Sequence, residues 1–316
     1  MRFEPMVSII IPVYNGSNFM REAIDSALEQ TYQNIEVIVI NDGSCDEQKT
    51  AQIAQSYGNK IRYFEKENGG VSSALNLGIK EMKGDYFSWL SHDDKYYPNK
   101  IESEIKALSN LSDKDTVICC GCEFIDKNSD SLSKRDEADY LPCNTVISWK
   151  GALHELLKKE PLNGCSLLIS KRVFETCGMF DERLRYNQDG FMWAKIFLSK
   201  YSLYRISNIC VQSRLHSGQL TQNGLDIFRK DCETMSEYLI PEIVKVTTPS
   251  DRFLYDYSAY NAKYGNYSIV KKVFEEANSQ ISFFEKIQLM FVCIYGKIRP
   301  IIRKTYYVVF RGMNTA

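Results

Sequence analysis

Apolar residues in the first hundred positions fall into two alternating kinds of run. Val7–Val13 (VSIIIPV) and Ile35–Ile40 (IEVIVI) are short, β-branched and nearly unbroken. That pattern predicts strands covered on both faces, as in a parallel sheet. Between them Phe19, Ala23, Ile24, Ala27 and Leu28 recur at helical spacing. The alternation continues with a helix over Asp46–Tyr57, a strand over Ile61–Phe64, a helix over Val71–Met82, a strand over Tyr86–Leu90 and a helix over Pro98–Leu108. It predicts an α/β fold with a mostly parallel, Rossmann-like central sheet flanked by helices.

From Val117 the pattern loosens. Val117–Ile125 reads as a strand, Asp126–Asp139 as an exposed loop or hairpin tip, and Trp149–Lys159 as an amphipathic helix. Leu162–Ser170 is a turn leading into a strand. Phe191, Met192, Trp193, Ile196 and Phe197 form the apolar face of a helix, with Asp189 at or beside its N-terminus. Leu203–Ile206 and Ile209–Val211 read as two short strands. Helices follow over Leu225–Ile240, Phe253–Tyr264 and Ile269–Asn278, so a first domain over 1–219 and a C-terminal helical region over 220–316 are expected. Phe283–Arg311 mixes bulky apolar residues with Lys286, Lys297, Arg299, Arg303, Lys304 and Arg311. Such a segment suits an anionic lipid surface, the alternatives being a packed terminal helix or a contact between copies in a homo-oligomer.

Composition adds bounds. With 316 residues, 44% apolar and 25% charged, the chain can bury one large domain and an appendage. A net charge of -1 supplies no basic field for nucleic acid. The ten cysteines are scattered, and Cys119, Cys120 and Cys122 have no second pair at zinc-finger spacing. Free thiols in a reducing compartment are expected. No apolar run is long enough for a signal peptide or a membrane span, so the cytoplasm is the expected location. No GxGxxG follows the first strand, and no GxxxxGK[ST] occurs.

Candidate chemistry gathers around Tyr86–Asp94 (YFSWLSHDD), where an apolar run ends in two adjacent carboxylates. Asp93 and Asp94 raise each other's pKa unless a cation neutralises them, and a divalent metal does so through oxygen ligands. The plainer alternative is a solvated acidic loop in which Asp94 or a neighbour caps the next helix. In open α/β sheets, ligands bind beyond the carboxyl ends of the strands. Tyr14-Asn15, Asn41-Asp42-Gly43, Asn68-Gly69-Gly70 and Ser91-His92-Asp93-Asp94 all sit there and should converge on one rim, which suits a nucleotide. Of three histidines, His92 lies in the acidic loop, His154 on the amphipathic helix and His216 after the last strand pair. With a metal present, His216 is a reasonable further ligand.

Seven stretches in order carry a resemblance: VSIIIPVYN (7–15), INDGS (40–44), NGGVSSALNLGI (68–79), WLSHDD (89–94), NGCSLLIS (163–170), FDERLRYNQD (180–189) and RLHSGQ (214–219). From about Val7 to Gln219 the chain resembles the bacterial family-2 glycosyltransferases of GT-A fold. The resemblance implies an inverting, metal-dependent transferase that uses Mn2+ or Mg2+. It implies transfer of a hexosyl or N-acetylhexosaminyl group from a nucleotide-sugar, most often UDP-linked, to a saccharide or lipid-linked acceptor in surface polysaccharide assembly. By the same resemblance Pro12, Tyr14 and Asn15 line the base and ribose, Asp42 accepts a hydrogen bond from the base, and Asn68 and Ser72 lie near the diphosphate. Ser91 and Asp93 face the donor; Asp93, Asp94 and His216 bind the metal; Asp189 is the catalytic base. Three positions depart from the family pattern: Ser91 stands where Asp is usual, Leu75 where Arg is frequent, and Gln188 where Glu is frequent. The departures at Ser91 and Leu75 motivate an alternative, a catalytically silent nucleotide-sugar-binding or scaffold protein. Relatives that act on lipid-linked acceptors also suggest a peripheral place on the cytoplasmic face of the inner membrane, with contact through 283–311.

Overall fold

The computed structural model describes residues 3–133, 138–159, 162–216, 224–248 and 250–295. They form two compact units, one of residues 3–152 with 162–224 and one of 153–159 with 225–295. The inclusion of 153–159 in the second unit was not foreseen from the sequence.

The first unit begins as the apolar pattern predicts. β1 (Val7–Val13) is buried along its whole length. It pairs in parallel with β2 (Ile35–Asp42), which pairs in parallel with β3 (Arg62–Lys66). On its other side β1 pairs in parallel with β4 (Tyr86–Trp89). α1 (Met20–Leu28), α2 (Lys49–Gln55) and α3 (Val71–Glu81) connect these strands, and α4 (Lys100–Ser109) follows β5 (Lys95–Tyr96). Pro12 is tolerated in this central strand for a geometric reason. The Leu90 N–H donates to Ile10 O at 3.0 Å, and the β1–β4 ladder ends at Ile10. Pro12 faces the same side two residues later, where no strand requires its missing donor.

Beyond β4 the sheet departs from pure parallel order. β6 (Val117–Ile125) carries β7 (Ser131–Ser133) as a hairpin partner; residues 134–137 lie outside the described residues. β8 (Val146–Ile147) and α5 (Trp149–Lys158) follow. β9 (Leu167–Ser170) inserts antiparallel between β4 and β6, and α6 (Lys171–Cys177) and α7 (Gln188–Leu198) lead to β10 (Leu203–Arg214). The sheet order is β3-β2-β1-β4-β9-β6-β10-β5, with the long ladders parallel. β10 corrects the expectation of two short strands. Ser207 and Asn208 are exposed and look like a break, yet irregular register between Arg205 and Val211 absorbs them while β10 stays paired with β6.

α4 places an ion pair behind β4. Lys100 Nζ donates to both Glu104 oxygens at 2.9 Å and to Ser88 Oγ at 3.1 Å, with both charged side chains fully buried. Nζ also lies 4.4 Å from the centre of the Tyr96 ring. None of the ten cysteines forms a disulfide, and Cys119, Cys120 and Cys122 are buried on β6.

The second unit is helical: α8 (Leu225–Val246), α9 (Phe253–Lys263), α10 (Tyr267–Ala277) and a further helix described over 283–295. α8 runs through Pro241, where the sequence reading ended it. Ile240 and Ile243 are fully buried on either side of the proline, and that packing offsets the lost hydrogen bond. The tyrosines serve packing, with Phe228, Tyr260 and Tyr264 in a ring cluster at centroid distances of 5.0–6.3 Å. Among the described residues no helix is long and apolar enough to cross a membrane.

Candidate active site

The loops after β1 and β2 are bound to each other. Asn15 N–H donates to Ser44 Oγ, and Cys45 N–H donates to Asn15 Oδ1, both at 2.8 Å. Asn15 adopts a left-handed backbone (φ 51°), which its short polar side chain tolerates. Tyr14 is 46% exposed beside Asn15 on the rim, whereas Pro12 is buried within β1.

Asp42 ends β2 and is almost fully buried. Its Oδ1 accepts from Lys66 Nζ at 2.7 Å and from Gly69 N–H at 3.0 Å, and its Oδ2 accepts from Gly70 N–H at 2.7 Å. Asn68 Nδ2 donates to the Asp42 carbonyl at 2.9 Å. The carboxylate thus moulds the 66–70 turn at the entry to α3. Gly70 has φ +86°, and a Cβ there would lie 2.1 Å from Arg185 Nη1. Arg185 Nη1 donates to Gly69 O at 2.8 Å and ties the segment before α7 to this turn. Ser72 lies one residue inside α3, and its buried hydroxyl has no partner among the described residues. The structure puts it inside the helix packing rather than on the open rim, because its helical position turns it inward. Leu75 is fully buried, so that position faces the core.

The acidic loop after β4 divides its two carboxylates. Asp93 Oδ2 lies 3.0 Å from His216 Nε2. Asp94 is turned inward: its Oδ1 accepts from Arg214 N–H at 2.8 Å and its Oδ2 from the Cys165 thiol at 3.3 Å. Asp94, expected as a third ligand beside Asp93 and His216, thus faces away from them here, towards Arg214 N–H and Cys165. Backbone and thiol donors satisfy it within the interior. No group of three or more His, Cys, Asp or Glu side chains is set to hold a metal ion among the described residues. Ser91 N–H donates to Cys165 Sγ at 3.2 Å, and burial pushes the Cys165 thiol pKa well up, keeping it neutral under the loop. The His92 ring closes over Gly16, where a Cβ would lie 2.6 Å from His92 Cδ2. The first and fourth strand ends therefore meet.

Arg214, at the end of β10, holds this loop in place and was missed from the sequence. It is fully buried. Its Nε donates to the Asp93 carbonyl at 2.8 Å, Nη1 to the Asp126 carbonyl at 3.1 Å, and Nη2 to Glu22 Oε2 at 3.0 Å. The guanidinium also sits 4.5 Å from the centre of the Phe19 ring, whose centroid is 5.1 Å from that of His216. The planar fork satisfies acceptors from three segments at once, which an ammonium group does not do. Arg214→Lys is therefore expected to cost about 3 kcal/mol of unfolding free energy by leaving buried acceptors unpaired. A denaturant titration measures this, and a loss below about 1 kcal/mol would remove Arg214 from the role of loop anchor.

Asp189 stands in the first turn of α7. Burial raises its pKa to about 6, against the lowering effect of Gly190 N–H, which donates to Oδ1 at 2.7 Å. The side-chain oxygen Oε1 of neighbouring Gln188 is buried without a partner among the described residues. Asp189 connects to the rim through its own segment, by way of Arg185. Ser217–Gln219 of the last stretch lie outside the described residues.

The "Glycosyl transferase family 2" signature matches residues 8–177, from β1 to the end of α6. An uncharacterized glycosyltransferase of Rickettsia typhi is 48% identical over 268 residues, which is 83% of this chain and 82% of that protein. Staphylococcus aureus TarS 1-349 in complex with UDP-GlcNAc has a TM-score of 0.62 at 15% identity, covering 92% of this chain and 81% of its own. The mannosyltransferase PcManGT from Pyrobaculum calidifontis, in complex with GDP-Man and Mn2+, has a TM-score of 0.56 at 15% identity, covering 96% and 84%. These two likenesses establish the fold, and the signature with the 48% identical relative establishes kinship. The chain belongs to glycosyl transferase family 2.

Proposed function

We propose that the chain is an inverting glycosyltransferase that moves a sugar from a UDP-sugar to a hydroxyl group of a saccharide or lipid-linked acceptor, in the assembly of a surface polysaccharide. The observation that carries this reading is the rim itself. The ends of β1, β2, β4 and β10 meet there, and Asp93 faces His216 at 3.0 Å. The bound nucleotide-sugars of the two solved structures, UDP-GlcNAc and GDP-Man, support a donor of this class.

Each chain residue then has a task. Tyr14 and Asn15 border the base and ribose. Asp42 Oδ2, which accepts one hydrogen bond from Gly70, keeps a further lone pair for a base N–H. Asn68, in the turn shaped by Asp42, lies towards the phosphates. Asp93 Oδ2 and His216 Nε2, 3.0 Å apart, are an oxygen and a nitrogen of the types that would hold a divalent metal. Mn2+ or Mg2+ held there would supply positive charge to the departing diphosphate. Asp189 takes the proton of the acceptor hydroxyl as its oxygen attacks the anomeric carbon. The bond from that carbon to the phosphate oxygen breaks, its electron pair leaves with the nucleoside diphosphate, and the configuration inverts.

A donor screen tests the reading. UDP-, GDP- and dTDP-sugars are offered with Mn2+ or Mg2+, and release of nucleoside diphosphate is measured. One donor is expected to turn over only with metal, and to lose turnover in Asp93→Ala. Nucleotide binding without any turnover across donors and acceptors would favour the silent binding protein. No nucleotide binding would overturn both.

A further inference from the structure

We propose that the helix over 283–295 docks this protein on an anionic lipid bilayer, lying in the interface with its outer face among the acyl chains. Phe283, Phe284, Ile287, Met290, Phe291 and Ile294 are 36–76% exposed. At 3.6 residues per turn they share one sector of about 120°. The opposite side of the same helix is fastened. Leu289 is fully buried, Arg252 Nη2 donates to Gln288 Oε1 at 3.2 Å, and Arg252 Nε lies 3.3 Å from Glu285 Oε1. The apolar side is therefore presented outward by a helix held from behind. A contiguous face with three exposed phenylalanines is more than a monomer in water ordinarily shows.

Charge selects the occupant. Glu285 is the last acidic residue of the chain, and Lys286, Lys297, Arg299, Arg303, Lys304 and Arg311 follow it. Apolar insertion combined with a cationic flank is the pairing that retains a helix at an anionic interface, where either signal alone holds weakly. A second copy is disfavoured by the same charges. A two-fold contact sets each patch against itself, with Lys286 on the same helix in both copies and no acidic residue after Glu285 to offset the charge. Docking of this helix is independent of the reaction catalysed.

The test uses the full chain and vesicles of phosphatidylcholine, with or without phosphatidylglycerol. Flotation is measured at low and high salt. The wild type is expected to float with the anionic vesicles, weakly or not at all with the neutral ones, and less at high salt. Phe284→Glu combined with Phe291→Glu is expected to weaken anionic-vesicle binding by about tenfold or more, since it places charge in the inserted face. Both side chains are exposed, so the thermal midpoint should not move; Phe284→Ser with Phe291→Ser is the milder pair if it does. Equal flotation of variant and wild type would overturn the proposal. So would absence of binding to anionic vesicles, and so would a wild-type dimer that these substitutions split without any lipid binding.

Discussion

Asp189→Asn is expected to lower turnover by about a thousandfold while making the fold more stable. A positioned carboxylate base contributes about a hundred- to ten-thousandfold, and an amide does not accept the proton. The stability gain follows from burial. The folded pKa is raised from 3.8 to about 6, so the native state binds this proton more tightly than the unfolded chain does. Stability is therefore lost as pH rises from about 4 to about 6, and the penalty persists above that window. Asn carries no charge to desolvate. At pH 8 the variant should gain up to about 3 kcal/mol, and at pH 4 the gain should vanish. Wild-type turnover should rise with pH through about 6, as the base loses its proton. Denaturant titrations at the two pH values and a pH–rate profile check all three statements. Nucleotide affinity should be unchanged, because Asp42 and the 66–70 turn are untouched. Retention of a tenth or more of the turnover would remove Asp189 from the role of base.

Lys100→Met is the second large effect, and it acts through charge left without a partner. Lys100 is fully buried, and its pKa is raised, because the attraction of Glu104 overcomes the cost of desolvation. Removing the ammonium leaves a buried carboxyl whose pKa burial already raises. The cost is expected to be about 3–5 kcal/mol near neutral pH. It should grow with pH above about 4, where the unfolded chain releases the Glu104 proton and the folded variant keeps it. Lys100→Met with Glu104→Leu should recover most of the loss, because both charges then leave the interior together. Unfolding of the single and double variants by denaturant measures this cycle. A single variant within about 1 kcal/mol of wild type would mean that water reaches the pair. Ser88 receives one of the Lys100 bonds, so the strand leading to Asp93 should loosen in the single variant.

The order of elements was legible because apolar period and turn chemistry are local. VSIIIPV reads as a strand covered on both faces, and YFSWL, two residues ahead of the paired carboxylates, reads as a strand with its end in the polar loop. The residues gathered at the rim were legible in part, since strand ends carry them by rule in an α/β fold. What each carboxylate does there was not. Asp93 and Asp94 are adjacent in the sequence, yet one faces His216 and the other faces Cys165 and the Arg214 amide. Sequence spacing carries no record of which side of a loop a side chain takes.

By itself, then, the sequence determined the α/β alternation, the strand ends that bear polar clusters, and the free thiols of β6. Each depends on the character of a few consecutive residues. Only the tertiary structure decided that β9 inserts antiparallel, that Asp42 is engaged by the Gly69 and Gly70 amides, and that Arg214 anchors the Asp93 loop across 121 positions. These are contacts between segments far apart in the chain. Their geometry is set by how the sheet twists and packs, which no local pattern of residues encodes.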